Sequence, residues 1–159
     1  MNDLLALFTQ AAKLLREAAD ETMSRHGVRV GQHIVLTVLW ERDGLTPGEI
    51  ARRLGVATPT IVNTATRMEE ADLVVRRPDP ADARLVRLHL TARGRAVREP
   101  VREARAELER QATATLTAAE REHLRTVLTK IIDQLRSAEA EDRGQVAEHG
   151  HGGGQGHGE

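Results

Sequence analysis

The chain is 159 residues long, 40% apolar and 30% charged, with a formal net charge of −1, which suits one domain with a sizeable core. It has no cysteine, which excludes disulfides and thiol redox chemistry. It has no run near the ~18 apolar residues of a membrane span, and its first residues lack a secretory signal, so it reads as cytoplasmic with no membrane partner. The near-zero charge hides an asymmetry. Residues 46–98 hold ten arginines against six acidic residues, while 1–45 sum to −1 and 99–159 to −4. A basic middle between neutral and acidic flanks points to a polyanion-binding module carried on helices with another task. Phe8 and Trp40 are the only aromatic residues, so the core falls to Leu, Val, Ile and Ala.

Residues 3–24 place Leu4, Leu7, Phe8, Ala11, Leu14, Leu15 and Ala18 on one helical face, and Gly27 ends it. A second helix is predicted over about 31–42, with Ile34, Val38 and Leu39 inward, closed by Asp43-Gly44. Thr46-Pro47-Gly48-Glu49 reads as a capping box, opening a short helix that turns Ile50 and Leu54 inward and stops at Gly55. Three residues on, Thr58 is predicted to cap the next helix, with Pro59 at its first position. Two short helices joined by a tight glycine turn make a helix-turn-helix.

The helix from Thr58 to Ala71 carries two faces. Ile61, Ala65 and Met68 form an apolar one; Thr60, Asn63, Thr64 and Arg67 recur at i, i+3, i+4 and i+7 on a polar one. An isolated face of this kind is ordinary solvated surface. As the second helix of a helix-turn-helix, its amide, hydroxyl and guanidinium groups suit base edges and phosphates in a major groove.

Leu73 to Arg77 is β-prone, Pro78 to Asp82 is a turn cluster, and Arg84 to Leu90 alternates, with Val86, Leu88 and Leu90 on one side. This predicts a β-hairpin with a long charged tip, a wing after the helix-turn-helix. Thr91 caps a predicted long helix from Ala92, with a stripe of Val97, Val101, Ala104, Leu108 and Ala112 and a kink at Pro100. Thr117-Ala118-Ala119-Glu120 is another capping box, opening a helix with Leu124, Val127, Leu128, Ile131, Ile132 and Leu135 on a wide apolar face. Residues 139–159 turn polar and end in GHGGGQGHGE, predicted to be a disordered Gly/His-rich tail.

The run from Leu45 to Arg95 resembles the MarR family of winged helix-turn-helix transcriptional regulators. The wing RRPDPADAR and the exit LTARG, at this spacing from the helix-turn-helix, carry the resemblance. It implies a mostly α fold with a small β-hairpin wing: a domain over 1–138, with 45–91 binding DNA and 1–44 and 92–138 as dimerisation helices. It further implies a homodimer on double-stranded DNA with a pseudo-palindromic operator, a repressor released by a small-molecule effector. The DNA-facing candidates are Thr58, Thr60, Asn63, Thr64 and Arg67 on the recognition helix and Arg76, Arg77 and Arg84 on the wing. His33 and Trp40 lie near where the family's effector pocket opens. The chain departs from the pattern at three positions: Asn63 where arginine is common, Asp72 where glycine usually ends the recognition helix, and Ala83 in place of the first wing arginine.

Two other functions use the same fold: a metal-responsive regulator built on the tail histidines, and a protein-interaction adaptor that no longer binds DNA. Imidazoles at His149, His151 and His157 suit zinc or nickel, but no cysteine or helical His-x-x-x-His pair supports a rigid site, and no metal ligand or cofactor is assigned. No nucleophile elbow, P-loop or dinucleotide fingerprint is present, so the chain is read as non-enzymatic.

Overall fold

The computed structural model describes residues 3–149, with side chains described for 3–139. It divides between Ala112 and Thr113 into two units. The first holds helices α1 (Leu4–Ser24), α2 (Val30–Glu41), α3 (Pro47–Leu54) and α4 (Thr58–Glu70), strands β1 (Val74–Pro78) and β2 (Val86–Leu90), and helices α5 (Ala92–Ala96) and α6 (Arg98–Ala112). The second holds α7 (Ala118–His149).

The core of the first unit is aliphatic. Met23, Val35, Leu36, Leu39, Ile50, Ile61, Ala65, Met68, Leu73, Leu88 and Val101 are all 2% exposed or less, so α1, α2, α3, α4, the hairpin and α6 share one apolar cluster. α2 meets it along Val35, Leu36, Val38 and Leu39; Ile34, expected inward, is 45% exposed. The wider face at 35, 36 and 39 supplies the apolar stripe, and 34 falls beside it. Asp3 caps α1, its carboxylate accepting from the Leu5 N–H at 3.2 Å. Of that helix only Met23 is fully buried, and Leu4 and Leu5 are 67% and 70% exposed.

α3 opens on the predicted capping box. The Thr46 hydroxyl accepts from the Glu49 N–H at 3.2 Å, and the Glu49 carboxylate accepts from the Thr46 N–H at 2.8 Å. It ends at Gly55, whose φ of +66° is left-handed backbone that glycine adopts without a Cβ penalty. α4 starts one residue earlier than expected. Its first turn closes tightly, Thr60 N–H donating to the Ala57 carbonyl at 3.1 Å, so Ala57 takes the cap position and the Thr58 hydroxyl caps nothing.

Asp72 follows α4 at φ +56°, the one non-glycine residue at positive φ among the described residues. The turn is closed by the Leu73 N–H donating to the Met68 carbonyl at 2.8 Å, the six-to-one bond of a Schellman-type stop. A β-carbon in this conformation costs on the order of 1 kcal/mol.

β1 and β2 pair antiparallel, with Val74 opposite Leu90 and Pro78 opposite Val86. A single bridge from Leu45 extends the hairpin: Leu88 N–H donates to the Leu45 carbonyl at 2.9 Å, and Gly44 N–H donates to the Leu88 carbonyl at 3.1 Å. The expected long helix after the wing is two helices, α5 and α6, meeting at Val97–Arg98. Pro100 explains the break. Its missing N–H would have paired with the carbonyl of residue 96, and in the first turn of α6 that donor is not needed.

In the second unit, Thr117 and Glu120 form the predicted reciprocal cap of α7. Leu124, Leu128, Ile132 and Leu135 on this helix are 38–61% exposed. α7 runs to His149, past its predicted end at 138, through a stretch rich in Ala and Glu, which are strong helix formers. The rest of the predicted tail, 150–159, lies outside the described residues. No helix among the described residues is long and apolar enough to cross a membrane.

The junction after the wing fixes two opposite expectations. A Cβ on Gly94 would stand 2.0 Å from the Leu73 carbonyl oxygen, so Gly94→Ala forces backbone apart and should cost ~1–3 kcal/mol or more, as overpacked sites do. Asp72→Gly should gain about 1 kcal/mol by removing the left-handed penalty. Urea denaturation of both variants checks the two signs.

Candidate nucleic-acid interface

Seven arginines lie between residues 46 and 90, and the structure sorts them into two groups. Arg52 and Arg53 on α3, Arg67 on α4 and Arg77 on β1 are exposed, and their side chains make no hydrogen bond or ion pair among the described residues. Arg76, Arg84 and Arg87 are engaged with carboxylates.

On α4 the buried row is Ile61, Ala65 and Met68, as expected. Thr60, Asn63 and Arg67 are exposed on the other side, with no side-chain partner among the described residues. Thr64 is half-buried, its hydroxyl donating to the Thr60 carbonyl at 2.9 Å. Thr58 stands exposed in the first turn, where no side chain caps the backbone N–H groups. Those groups and the positive end of the helix dipole suit a phosphate.

The wing tip is organised by Asp79, within the turn that the sequence predicts. Asp79 is 7% exposed. Its carboxylate accepts from the Ala81 N–H at 2.7 Å, the Asp82 N–H at 2.9 Å and the Arg87 guanidinium. The Arg87 bond, then the two backbone N–H groups, hold the Asp79 carboxyl below the usual carboxylate range. Arg87 also donates to the Gly44 carbonyl at 2.8 Å and reaches Glu49 at 3.4 Å, tying the wing to the cap of α3. Arg77 stands directly across the ladder from Arg87. Like charges so placed repel, and Asp79 offsets that repulsion. The signal for this hub was the Pro-Asp-Pro turn, which favours an aspartate that folds back on its own backbone.

At the tip, Asp82 holds Arg84 through two parallel bonds of 3.0 Å, and the Arg84 side chain is 90% exposed. Arg76, a predicted DNA contact, is engaged within the chain. Its guanidinium pairs with Glu69 and donates to the Val62 carbonyl and the Thr66 hydroxyl, each at 3.0 Å.

The effector candidates sit together. His33 and Trp40 meet edge-to-face with ring centroids 5.9 Å apart. The Trp40 indole N–H donates to the Gly94 carbonyl at 2.8 Å. An Arg105 guanidinium nitrogen lies 3.1 Å from His33 Nε2 and 3.4 Å from Nδ1, so a neutral ring offers it an acceptor nitrogen. Burial, reinforced by the Arg105 charge, lowers the His33 pKa to about 4.

A model described as the MarR family matches residues 26–85, which take in the helix-turn-helix and most of the wing. YsmB of Bacillus subtilis, named an uncharacterized HTH-type transcriptional regulator, is 30% identical over 90 residues, 57% of this chain and 62% of that protein. TtmR of Methylorubrum extorquens, named an HTH-type transcriptional regulator, is 34% identical over 88 residues, 55% of this chain and 45% of that protein. The match thus spans less than two thirds of either relative. Among solved structures, the MepR–DNA complex of S. aureus aligns with a TM-score of 0.74 at 26% identity, covering 84% of this chain and 99% of that one.

His33 generates a pH dependence with a definite sign. Its folded value, about 4, lies below the ordinary 6.5, so the neutral ring stabilises the fold fully above pH 6.5. That contribution is lost as pH falls from 6.5 towards 4. The total is about 3 kcal/mol from the size of the shift. Denaturation curves across this window should show the loss in the wild type and lack it in His33→Gln.

Proposed function

We infer that this chain, which belongs to the MarR family of winged helix-turn-helix proteins, is a sequence-specific DNA-binding regulator of transcription. It acts as a cytoplasmic homodimeric repressor that a small-molecule effector releases. The observation that carries this is the sorting of the arginines: the four without partners stand on the helix-turn-helix and wing beside an unpaired Asn63. Asn63 and Arg67 suit bidentate pairing with adenine and guanine edges. Arg52, Arg53 and Arg77 suit phosphates, and Arg84, carried at the tip, suits the neighbouring minor groove or its phosphates. The DNA-bound state of MepR, a structural relative, supports the same use of this fold.

Dimerisation follows from the exposed leucines. Leu4, Leu5, Leu7, Leu14 and Leu15 on α1, and Leu124, Leu128, Ile132 and Leu135 on α7, are each more than a third exposed. Apolar surface of that extent rarely stays bare on a monomer. A second copy covers it and sets two recognition helices about one DNA turn, ~34 Å, apart on a pseudo-palindromic operator. The effector works by its differential affinity for dimers of different helix spacing, through a site beside His33 and Trp40.

Selection of duplexes from a randomised pool by the wild-type protein tests DNA reading. Asn63→Ala and Arg67→Ala should each bind the selected duplex more weakly. A bidentate base contact at Arg67 predicts a loss of ~1–3 kcal/mol with relaxed preference at one base pair, whereas a phosphate contact weakens all duplexes equally. Unchanged affinity in both variants would sink the assigned face.

Truncation tests assembly. Cutting after Leu116 should abolish dimerisation and tight operator binding, while cutting after Asp142 should leave both intact. Sedimentation showing a wild-type monomer at micromolar concentration would refute the dimer.

A further inference from the structure

We propose that Arg76 is a positioning residue for DNA reading: it locks the recognition helix to the base of the wing and so fixes which face of α4 meets the base edges. This rests on the DNA-binding reading above and assigns Arg76 a role other than contact with DNA.

The polar groups of Arg76 converge on one stripe of α4. Its backbone N–H donates to a Glu69 carboxylate oxygen at 3.1 Å, and Nη1 pairs with the other oxygen. Nη2 donates to the Val62 carbonyl and the Thr66 hydroxyl, both at 3.0 Å. Val62, Thr66 and Glu69 stand at i, i+4 and i+7, so one guanidinium spans two turns of helix. On a 3.6-residue repeat that stripe lies roughly 140° around the axis from Thr60, Asn63, Thr64 and Arg67. The fork therefore grips α4 on the flank away from the proposed reading face.

Arg76 and Glu69 side chains are 29% and 32% exposed, so the fork is held in a half-buried, charge-paired setting. Lysine cannot replace it, because one ammonium lacks the planar set of donors that reaches a carboxylate and two further acceptors together. Rolling α4 by about 20° about its axis would carry its side-chain tips about 2 Å sideways, given a helix radius near 5–6 Å. A base-edge hydrogen bond tolerates only a few tenths of an ångström in length. Small rotations thus suffice to lose sequence discrimination while leaving the fold and the net charge of the module intact.

The charge of Arg76 is matched by Glu69, so the pair adds little to counterion release. Removing Glu69's charge should, by electrostatics alone, strengthen binding to every duplex. Positioning predicts a loss of selectivity, which that uniform change does not produce.

The test uses full-length protein, the duplex that the wild type selects from a randomised pool, and a copy altered at the most strongly selected base pair. The ratio of the two affinities and its salt dependence are measured for the wild type, Arg76→Lys and Glu69→Gln, each with the wild-type circular dichroism spectrum. Glu69→Gln keeps one acceptor oxygen in place and serves alone if Arg76→Lys does not fold. The expected result is a ratio reduced about tenfold or more in both variants, the scale of one misread base pair, whatever uniform change in affinity or salt slope accompanies Glu69→Gln. The proposal is overturned if both variants keep the wild-type ratio; a salt slope steepened by about 0.9 in Glu69→Gln then marks Arg76 as a phosphate contact instead. It is equally overturned if both variants melt at lower temperature yet keep the ratio below the melting range. A wild-type protein that selects no sequence overturns the DNA-reading premise itself.

Discussion

The carbonyl of Leu73 lies where a side chain on residue 94 would begin, and much of the first unit meets at that crossing. The same carbonyl accepts from the Thr91 N–H at 3.1 Å, and the Thr91 hydroxyl donates to the Asp72 carbonyl and accepts from the Gly94 N–H. The Gly94 carbonyl in turn receives the Trp40 indole. One residue without a Cβ lets the end of α4, the start of β1, the end of β2, α5 and α2 converge without an unpaired polar group. The Leu-Thr-x-x-Gly exit therefore has a steric cause as well as a capping one. The threonine supplies the cap of α5 and the glycine supplies the room.

Around that crossing, the charges divide by task. Arg76, Arg84 and Arg87 sit on Glu69, Asp82 and Asp79, holding the wing's base, tip and second strand. Arg52, Arg53, Arg67 and Arg77 have no partner among the described residues, so their charge is available to a polyanion. Exposed ion pairs are weak on average. Those at the wing gain by acting with backbone acceptors and a buried carboxylate, as at Asp79, where three donors converge.

Local signals in the sequence read well wherever a short stretch decided its own conformation. The Thr46 and Thr117 boxes, the Gly55 stop, the buried row of α4 and the hairpin were all visible from spacing alone. What failed depended on distant partners or on a tight first turn. Thr58 lost its cap to an i→i−3 bond at Ala57. Ile34 sat at the edge of a stripe whose width only the surrounding helices define. Pro100 disrupts the helix as its chemistry predicts, but the missing donor acts one turn upstream, so the chain breaks at Val97–Arg98. Arg76 and Arg87 looked like their neighbours Arg77 and Arg84, because nothing in one dimension reveals that Glu69, seven residues before Arg76, or Asp79, eight before Arg87, faces them. Arg52 and Arg53 escaped notice for the reverse reason: cations in the last turn of a short helix are expected as dipole partners.

The Leu45 bridge and the Arg87 bonds to Gly44 and Glu49 join the wing to the segment that starts α3. An excursion of β2, which lies between β1 and Leu45, must release the Leu88 amide, the Gly44 amide and the Arg87 link to Glu49 together. The hairpin and the first turn of α3 therefore open as one cooperative unit, and their amide protons exchange with solvent on a common timescale. The wing thus moves with the helix-turn-helix and does not flap independently of it.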